Sequence, residues 1–195
     1  EEQELLEKLL TCTPELFKQL SNDVERAKKI LRSQAFYDID QLEWATNCLH
    51  QTMGVISLGY YPAQICFPPI ETDIVYKPFM SSEIIESLDD DQINIYRDVY
   101  DMLIRPVMER DRPQMVGISV VQQKQLIPTF TFCKMIKDAF PETHITLGGN
   151  IITRIRDMLP GMENLWELFD SAIVYEGESA YLKLTEAVKK TKVKK

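Results

Sequence analysis

Three short apolar runs, each ending abruptly in small or polar residues, constrain the fold of this chain more than any other feature. They stand at residues 114–123 (QMVGISVVQQ), 144–150 (HITLGGN) and 171–179 (SAIVYEGES), with the length of a helix between them. The apolar residues of the first run are continuous, which is typical of a strand buried on both faces. Strand–helix alternation at this spacing predicts an α/β fold, with a doubly wound parallel sheet of Rossmann or flavodoxin type and right-handed crossovers.

This predicted α/β core spans residues 112–188. Its expected strands cover residues 115–120, 145–147 and 172–175. Helices are expected over residues 126–139, from Asn150 or Thr153 to about residue 160, and from Glu178 onward. Residues 1–111 are predicted to form a helical and irregular lead-in packed on the core, and residues 189–195 a basic tail or linker stub.

The lead-in contains three helix-start signals. Thr13 can cap a helix that has Pro14 at its first position. A second start is expected at Ser21 and a third at Asp38 or Asp40.

Further along the lead-in the pattern changes. Residues 54–80 contain four prolines, which favours an extended segment with at most short strands. Ser81 and its neighbours are expected to cap a short helix. The aspartates at 89–91 precede a longer helix from about residue 92, where capping explains them better than a metal site. Pro106 should kink or end that helix.

Composition excludes several classes of function. The formal net charge is −8, even though lysines crowd the last seven residues. This acidic balance and the lack of a basic stripe argue against nucleic-acid binding. No apolar run approaches the roughly 20 residues of a membrane span. Without a signal-peptide pattern, a cytoplasmic location is expected. The chain opens at Glu1 in a helical pattern, which suggests a piece of a longer protein.

The four cysteines and two histidines have no catalytic or metal-binding spacing. Cysteines at 12, 48, 66 and 133 form no Cys-x-x-Cys pair and no three-cysteine cluster for an iron–sulfur centre. They are expected to be buried or half-buried free thiols. His50 and His144 are isolated. No catalytic residue and no metal ligand is therefore assigned.

The ends of the predicted strands form a candidate crevice, because ligands of open α/β sheets bind outside the carboxyl ends of the strands. Gly148 and Gly149 remove two side chains directly after a strand, so a flat ligand or a phosphate could approach the backbone. Amides there, followed by a helix N-terminus, favour an anionic or amide-bearing group. Ser119 supplies a hydroxyl, and Glu176 with Gly177 ends the third strand.

The sequences V-G-I-S, L-G-G-N and V-Y-E-G-E-S, at these separations, resemble the cobalamin-binding-type domain that precedes the radical S-adenosylmethionine barrel in one large enzyme class. The preceding S-L-G-Y-Y-P segment resembles the long version found in enzymes that modify peptides or other natural products. The resemblance covers about residues 52–188 and is most specific over residues 112–188.

The resemblance implies a set of cofactor-binding residues. Ser119 with Val121 stands at the family's Ser-x-Leu position, near the nucleotide tail of cobalamin, with Val121 replacing the usual Leu. The tail's base would lie against Gly148 and Gly149, and Glu176 with Gly177 matches the Glu-Gly-Glu strand end. The set is completed by Gln122 and Asn150. No Asp-x-His-x-x-Gly is present, so no lower axial histidine is named; the loop at residues 122–124 is a substitute contact for the corrin's lower face.

By this resemblance the chain is a cobalamin-binding-type module, with an adjoining radical barrel that carries a 4Fe-4S cluster and S-adenosylmethionine downstream. This piece would not be catalytic alone, and the full-length protein would perform methyl transfer or a related radical modification. The alternative is the same fold without a corrinoid, acting as a packing or substrate-docking domain. A phosphorylation receiver fits less well, because no carboxylate ends the first strand. Missing upstream strands would expose a sheet edge and favour self-association.

Overall fold

The computed structural model describes residues 12–66 and 71–193. The chain divides into two compact units, Glu1–Val75 and Tyr76–Lys195. Residues 76–111, which the sequence pattern places in the lead-in, thus belong to the same unit as the predicted core. The first eleven residues of the predicted lead-in lie outside the described residues, as do residues 194 and 195 of the predicted basic tail.

The first unit begins with helix α1 (Pro14–Leu31), and Thr13 caps it as predicted, its hydroxyl accepting the Leu16 N–H at 3.2 Å. The second helix start predicted at Ser21 is wrong, because α1 runs through this position without a break. Ser21 is exposed and leaves the buried face uninterrupted. That face keeps helical spacing and comprises Leu20, Ala27 and Ile30.

Helix α2 (Ile39–Gly59) starts after Asp38, whose carboxylate accepts the N–H groups of Asp40 and Gln41. Of the two predicted starts, Asp38 is therefore the correct one. The helix extends to Gly59, so residues 54–59 are helical rather than extended. Val55 in this stretch packs against the cluster shared with α1, and tertiary contacts of this kind override the weak helix propensity of glycine. The two helices share one buried cluster, formed by Leu20, Ala27, Ile30, Ala45, Cys48 and Leu49.

Two three-residue strands follow, β1 (Gln64–Cys66) and β2 (Glu71–Asp73), and they pair antiparallel. The Ile65 N–H donates to the Ser57 hydroxyl at 2.8 Å, which ties β1 to the end of α2. Short strands are what the proline-rich composition predicts for this segment.

In the second unit, helix α3 (Ser81–Leu88) begins where predicted, although no side chain caps it. The helix predicted from about residue 92 is wrong, because the next helix begins at Tyr96 without a side-chain cap, and Asp90 of the acidic run holds the turn before it instead. One Asp90 oxygen accepts the N–H groups of Gln92 and Ile93, both at 3.0 Å, and the other accepts the Tyr76 hydroxyl at 2.7 Å. Burial disfavours the Asp90 carboxylate, but these hydrogen bonds together outweigh it and hold the Asp90 pKa below its usual value.

The next helix does not end at Pro106. It comprises α4 (Tyr96–Val99), a π-helical turn (Tyr100–Ile104) and α5 (Arg105–Asp111). Proline lacks an N–H and its ring collides with the carbonyl four residues earlier. The π-helical turn immediately before Pro106 changes the hydrogen-bond pairing of the backbone there. This change accounts for a helix that continues to Asp111.

Three strands form a parallel sheet in the order β3 (Met115–Ser119), β4 (His144–Gly148) and β5 (Ser171–Ala172). The described chain is therefore mixed α/β with a three-stranded parallel sheet. Helix α6 has the predicted bounds, Leu126–Ala139. The remaining helices of this unit are α7 (Asn150–Arg154) and α8 (Glu178–Val193), with 3-10 turns between α7 and β5.

Two strand predictions need correction. The first strand is not buried on both faces, because Gly117 and Ser119 are exposed; β3 is an edge strand of the described sheet. The third strand ends at Ala172 rather than at residue 175. Ile173 still donates its N–H to Leu147 at 2.8 Å, but Tyr175 adopts a left-handed conformation that a strand cannot contain.

The core of the second unit lies largely in β4 and α6. Its most deeply buried side chains include Ile127, Phe130, Cys133, Ile136, Ile145 and Leu147. Burial raises the pKa of the Cys133 thiol to about 12. None of the helices in the described parts of the chain has the length and apolar character that crossing a membrane requires.

Candidate functional site

A crevice of about 420 Å³ lies at the carboxyl end of the sheet, within the second unit. Four of the residues predicted from the sequence line it together: Ser119, Gly148, Gly149 and Gly177. Four others do not line it: Val121, Gln122, Asn150 and Glu176. Glu178, two residues after Glu176, supplies the carboxylate at its wall. The strand ends therefore meet at one crevice, as the sequence predicts, but only half of the predicted binding residues line it.

The sheet presents a small, polar face to this crevice. In the parallel register Gly117 stands opposite Thr146 and Ser119 opposite Gly148, while Thr146 stands opposite Ser171. Directly opposed residues point to the same side of a sheet, and alternate residues share a face. Bare backbone and hydroxyl groups thus replace the aliphatic side chains that would otherwise cover this side of the strands.

The two glycines at the end of β4 have different physical roles. Gly149 has φ 97° and ψ 179°, a conformation open essentially to glycine alone. A Cβ atom there would lie 2.6 Å from the Val120 carbonyl oxygen and 2.8 Å from the Val120 nitrogen. At Gly148 a Cβ atom would meet only the Ile173 carbonyl oxygen, at 3.6 Å. Gly149 is therefore required by the backbone, whereas Gly148 leaves space in the crevice.

One of the amides after these glycines is already paired within the protein. The Ile151 N–H donates to the Val120 carbonyl at 3.0 Å. Helix α7 has five residues, too few to supply much of a macrodipole. The expectation of an anion bound at this helix N-terminus is not supported by the geometry.

Thr146 is a crevice residue that the sequence reasoning missed. Its side chain is only 2% exposed, and its hydroxyl has no hydrogen-bond partner among the residues that the structure describes. An unpaired buried hydroxyl is costly, so a group of this kind calls for a partner. The signal was present in the sequence: Thr146 stands two residues before Gly148 and so shares its face of the strand.

Tyr175 is the second residue that was missed, and it lies at the third strand end with φ 64°. A left-handed conformation is a genuine outlier for so bulky a residue. Its N–H donates to the Thr153 hydroxyl at 2.9 Å, and the Arg156 guanidinium lies 5.3 Å from its ring centre. The ring is 66% exposed, so the strained residue presents an aromatic surface beside the crevice.

Tyr181 of α8 covers part of the same sheet face. Its ring carbon Cε2 would lie 3.0 Å from a Cβ atom at Gly117, so the missing side chain allows the ring to pack on the strand. The Tyr181 N–H donates to the Gly177 carbonyl at 2.7 Å, which fixes the first turn of the helix. The crevice thus lies between the sheet and the start of α8.

The loop after β3 is organised by its own hydrogen bonds. The Gln125 side-chain oxygen accepts the N–H groups of Val121 and Gln122, at 2.7 and 3.0 Å, and the Gln122 side chain takes part in a reciprocal capping box. The Val121 side chain is 53% exposed. These residues are available to a ligand lying above the sheet edge, not to one inside the crevice.

The described lining of the crevice combines hydroxyl groups, one carboxylate and bare backbone with the aliphatic residues Ile118, Leu147 and Ile173, and it contains no histidine or cysteine. Among the described residues, no three His, Cys, Asp or Glu side chains are grouped so as to hold a metal ion. Comparison of the chain with protein-family models, with curated proteins and with solved structures finds no match.

Proposed function

We propose that this chain is a cobalamin-binding-type module of a radical S-adenosylmethionine enzyme, and that the crevice receives the nucleotide tail of the corrinoid. The observation that carries the proposal is the convergence of Ser119, Gly148, Gly149 and Gly177 on one crevice. The motifs that carry the family resemblance lie far apart in sequence, and the parallel sheet brings their strand ends to one edge.

The residues present fit a nucleotide tail. A volume of about 420 Å³ is at the small end of the roughly 300–1,000 Å³ typical of ligand pockets. It suits a flat base with its sugar, while a corrin macrocycle would lie outside, over the ends of the strands. The polar sheet face and the glycine backbone permit close approach of a planar ring.

The arrangement of helices supports the finer fold assignment. The right-handed rule for parallel crossovers predicts that the helices connecting β3 to β4 and β4 to β5 lie on one face of the sheet. Tyr181 of α8 packs over Gly117 on the crevice face. Helices on both faces are the pattern of a doubly wound, Rossmann or flavodoxin-like sheet.

In the complete protein, a bound corrinoid would supply the methyl-transfer or radical chemistry, with this module holding and orienting it for the adjoining radical barrel. The chain's own contribution is to bind the tail and exclude water from it. No histidine lines the described part of the crevice, and His144 instead contacts Ser171 at 2.9 Å. The proposal therefore includes no lower axial histidine. We also propose that the protein is cytoplasmic.

The exposed edge of β3 carries the proposal of self-association. β3 has a strand partner on one side only among the described strands. Such an edge favours pairing with another chain. Light scattering should detect a rise in mean mass with concentration, and a constant monomer mass over a hundredfold range would contradict it.

Titration with hydroxocobalamin, followed by the shift of its visible bands, tests the binding function. We expect saturable binding by the wild-type protein and strong weakening by Gly148→Leu, because that side chain would occupy the crevice. Gly161→Ala is the matched control, since nothing lies within 4 Å of a Cβ atom there. If the wild type binds no corrinoid, the alternative of a packing or substrate-docking domain replaces this proposal.

A further inference from the structure

A second cavity of the same unit has a volume of about 220 Å³ and shares no lining residue with the crevice. Its floor is apolar and comes from α3, α6, α7 and the 3-10 turn before β5, with the buried side chains Ile84, Leu126, Phe130, Ile151 and Leu165. Phe79 and Met158 also line the cavity and are exposed, so it opens to solvent beside them.

One cation stands at this apolar cavity. Arg154, in the last turn of α7, is the single charged residue of its described lining. The Arg154 guanidinium has no ion pair or hydrogen bond with any described residue, whereas Arg156 contacts Asp157 at 3.4 Å and the Thr153 carbonyl at 3.3 Å. A helix C-terminus favours a cation, but the dipole of the five-residue α7 is too small to account for Arg154.

The apolar floor and the free guanidinium together fit a small apolar carboxylate. A cavity of about 150 Å³ is enough for benzene, so this one holds an aromatic ring with a short chain. The exposed Arg154 side chain can then donate two parallel hydrogen bonds to the carboxylate at the solvent side. The exposed Gln123, which also lines the cavity, offers a further amide donor, and the flexible Met158 and Met162 adapt to the shape of the ring.

We infer that this cavity is a second binding site, which takes a small molecule that joins an aromatic ring to a carboxylate. The inference does not depend on the proposed function, because the cavity and the crevice have no residue in common.

NMR of the methionine methyl groups tests the site, with 3-phenylpropionate as the probe and its neutral amide, 3-phenylpropionamide, as the matched ligand. Saturable shifts are expected at Met158 and Met162 and none at Met108, which is buried in the same unit and does not line the cavity. The dissociation constant of the carboxylate should be on the order of 1 mM. Because solvent screens a pair with an exposed guanidinium, the carboxylate should bind about fivefold more tightly than the amide.

Arg154→Gln should bring the two dissociation constants within about twofold of each other, because it removes the charge and leaves the apolar floor intact. Arg156→Gln is the matched control, since Arg156 lies two residues away and does not line the cavity, and it should leave the ratio unchanged. The absence of shifts at both methionines, equal binding of the two ligands by the wild type, or an unchanged ratio in Arg154→Gln would overturn the inference. None of these results bears on the hydroxocobalamin titration.

Discussion

Replacing Gly149 with alanine should destabilise the second unit far more than the same change at Gly148, its neighbour. At Gly149 the new methyl group would lie 2.6 Å from the Val120 carbonyl oxygen and 2.8 Å from the Val120 nitrogen. Both atoms belong to the backbone at the end of a strand and cannot rotate away. The conformation itself, at φ 97°, adds strain for any residue with a Cβ atom.

The expected magnitude follows from these two causes. Strain in a sparsely populated backbone region costs about 1–3 kcal/mol, and overpacking a well-packed site costs about 1–3 kcal/mol. Gly149→Ala should therefore lower the free energy of unfolding by about 2–6 kcal/mol. Gly148→Ala adds a methyl group 3.6 Å from its nearest neighbour, an ordinary contact, and should change stability by less than about 1 kcal/mol.

Urea unfolding followed by Trp166 fluorescence measures the difference. Trp166 lies in the second unit, with its indole N–H donating to Leu159 at 2.9 Å and its ring 4.7 Å from that of Phe169. A Trp44→Phe background removes the other tryptophan, which belongs to the first unit. If the two alanine variants unfold within about 1 kcal/mol of each other, the assignment of separate roles to the two glycines is refuted.

Three further predictions concern other parts of the second unit and the exposed thiol. The hydrogen bond to Asp90 raises the pKa of Tyr76 to about 12 and, with two backbone N–H groups, holds that of Asp90 low against burial. The stability that this pair contributes should be lost as pH falls below about 4 and as pH rises from 10 through 12. Unfolding curves of Asp90→Asn should lack the loss at acid pH, and those of Tyr76→Phe should lack the loss at alkaline pH. A thiol reagent applied to the native protein should label exposed Cys66 and spare buried Cys133, and mass spectrometry showing equal labelling would contradict the fold. Tyr175→Gly should be more stable than Tyr175→Ala by about 1 kcal/mol in denaturant unfolding, because only glycine relieves φ 64°; equal stability would argue against the left-handed conformation.

Local signals in the sequence predicted several elements correctly. Thr13 and Asp38 cap their helices because a short polar side chain next to a helical run has few other roles. Helix α6 keeps its predicted bounds, since the apolar spacing ends in a turn on both sides. The parallel pairing of the three apolar runs follows from the helices between them.

Other features depend on tertiary contacts that no local pattern contains. Ser21 looks like a helix start, but α1 continues because its buried face is uninterrupted. Glycine at 54 and 59 looks like a break, but α2 runs through Gly54 and ends only at Gly59, with Val55 packed on the cluster that it shares with α1. A continuous apolar run predicts burial on both faces, yet β3 lies at an edge and exposes Gly117.

The candidate site was predictable at the level of strand ends and not at the level of side chains. Ser119 and the two glycines follow from the rule that ligands bind at the carboxyl ends of parallel strands. The unpaired hydroxyl of Thr146 depends on the register of all three strands, and the conformation of Tyr175 depends on its hydrogen bond to Thr153. Neither can be derived from one strand alone.

Amide chemical-shift mapping of the protein during titration with hydroxocobalamin tests the central claim most directly. The account predicts that the largest shifts occur at Ser119, Thr146, Gly148 and Gly177, the residues that line the crevice. Gly54, which belongs to the first unit, should not respond. Binding without shifts at the crevice, or shifts concentrated elsewhere in the chain, would contradict the account.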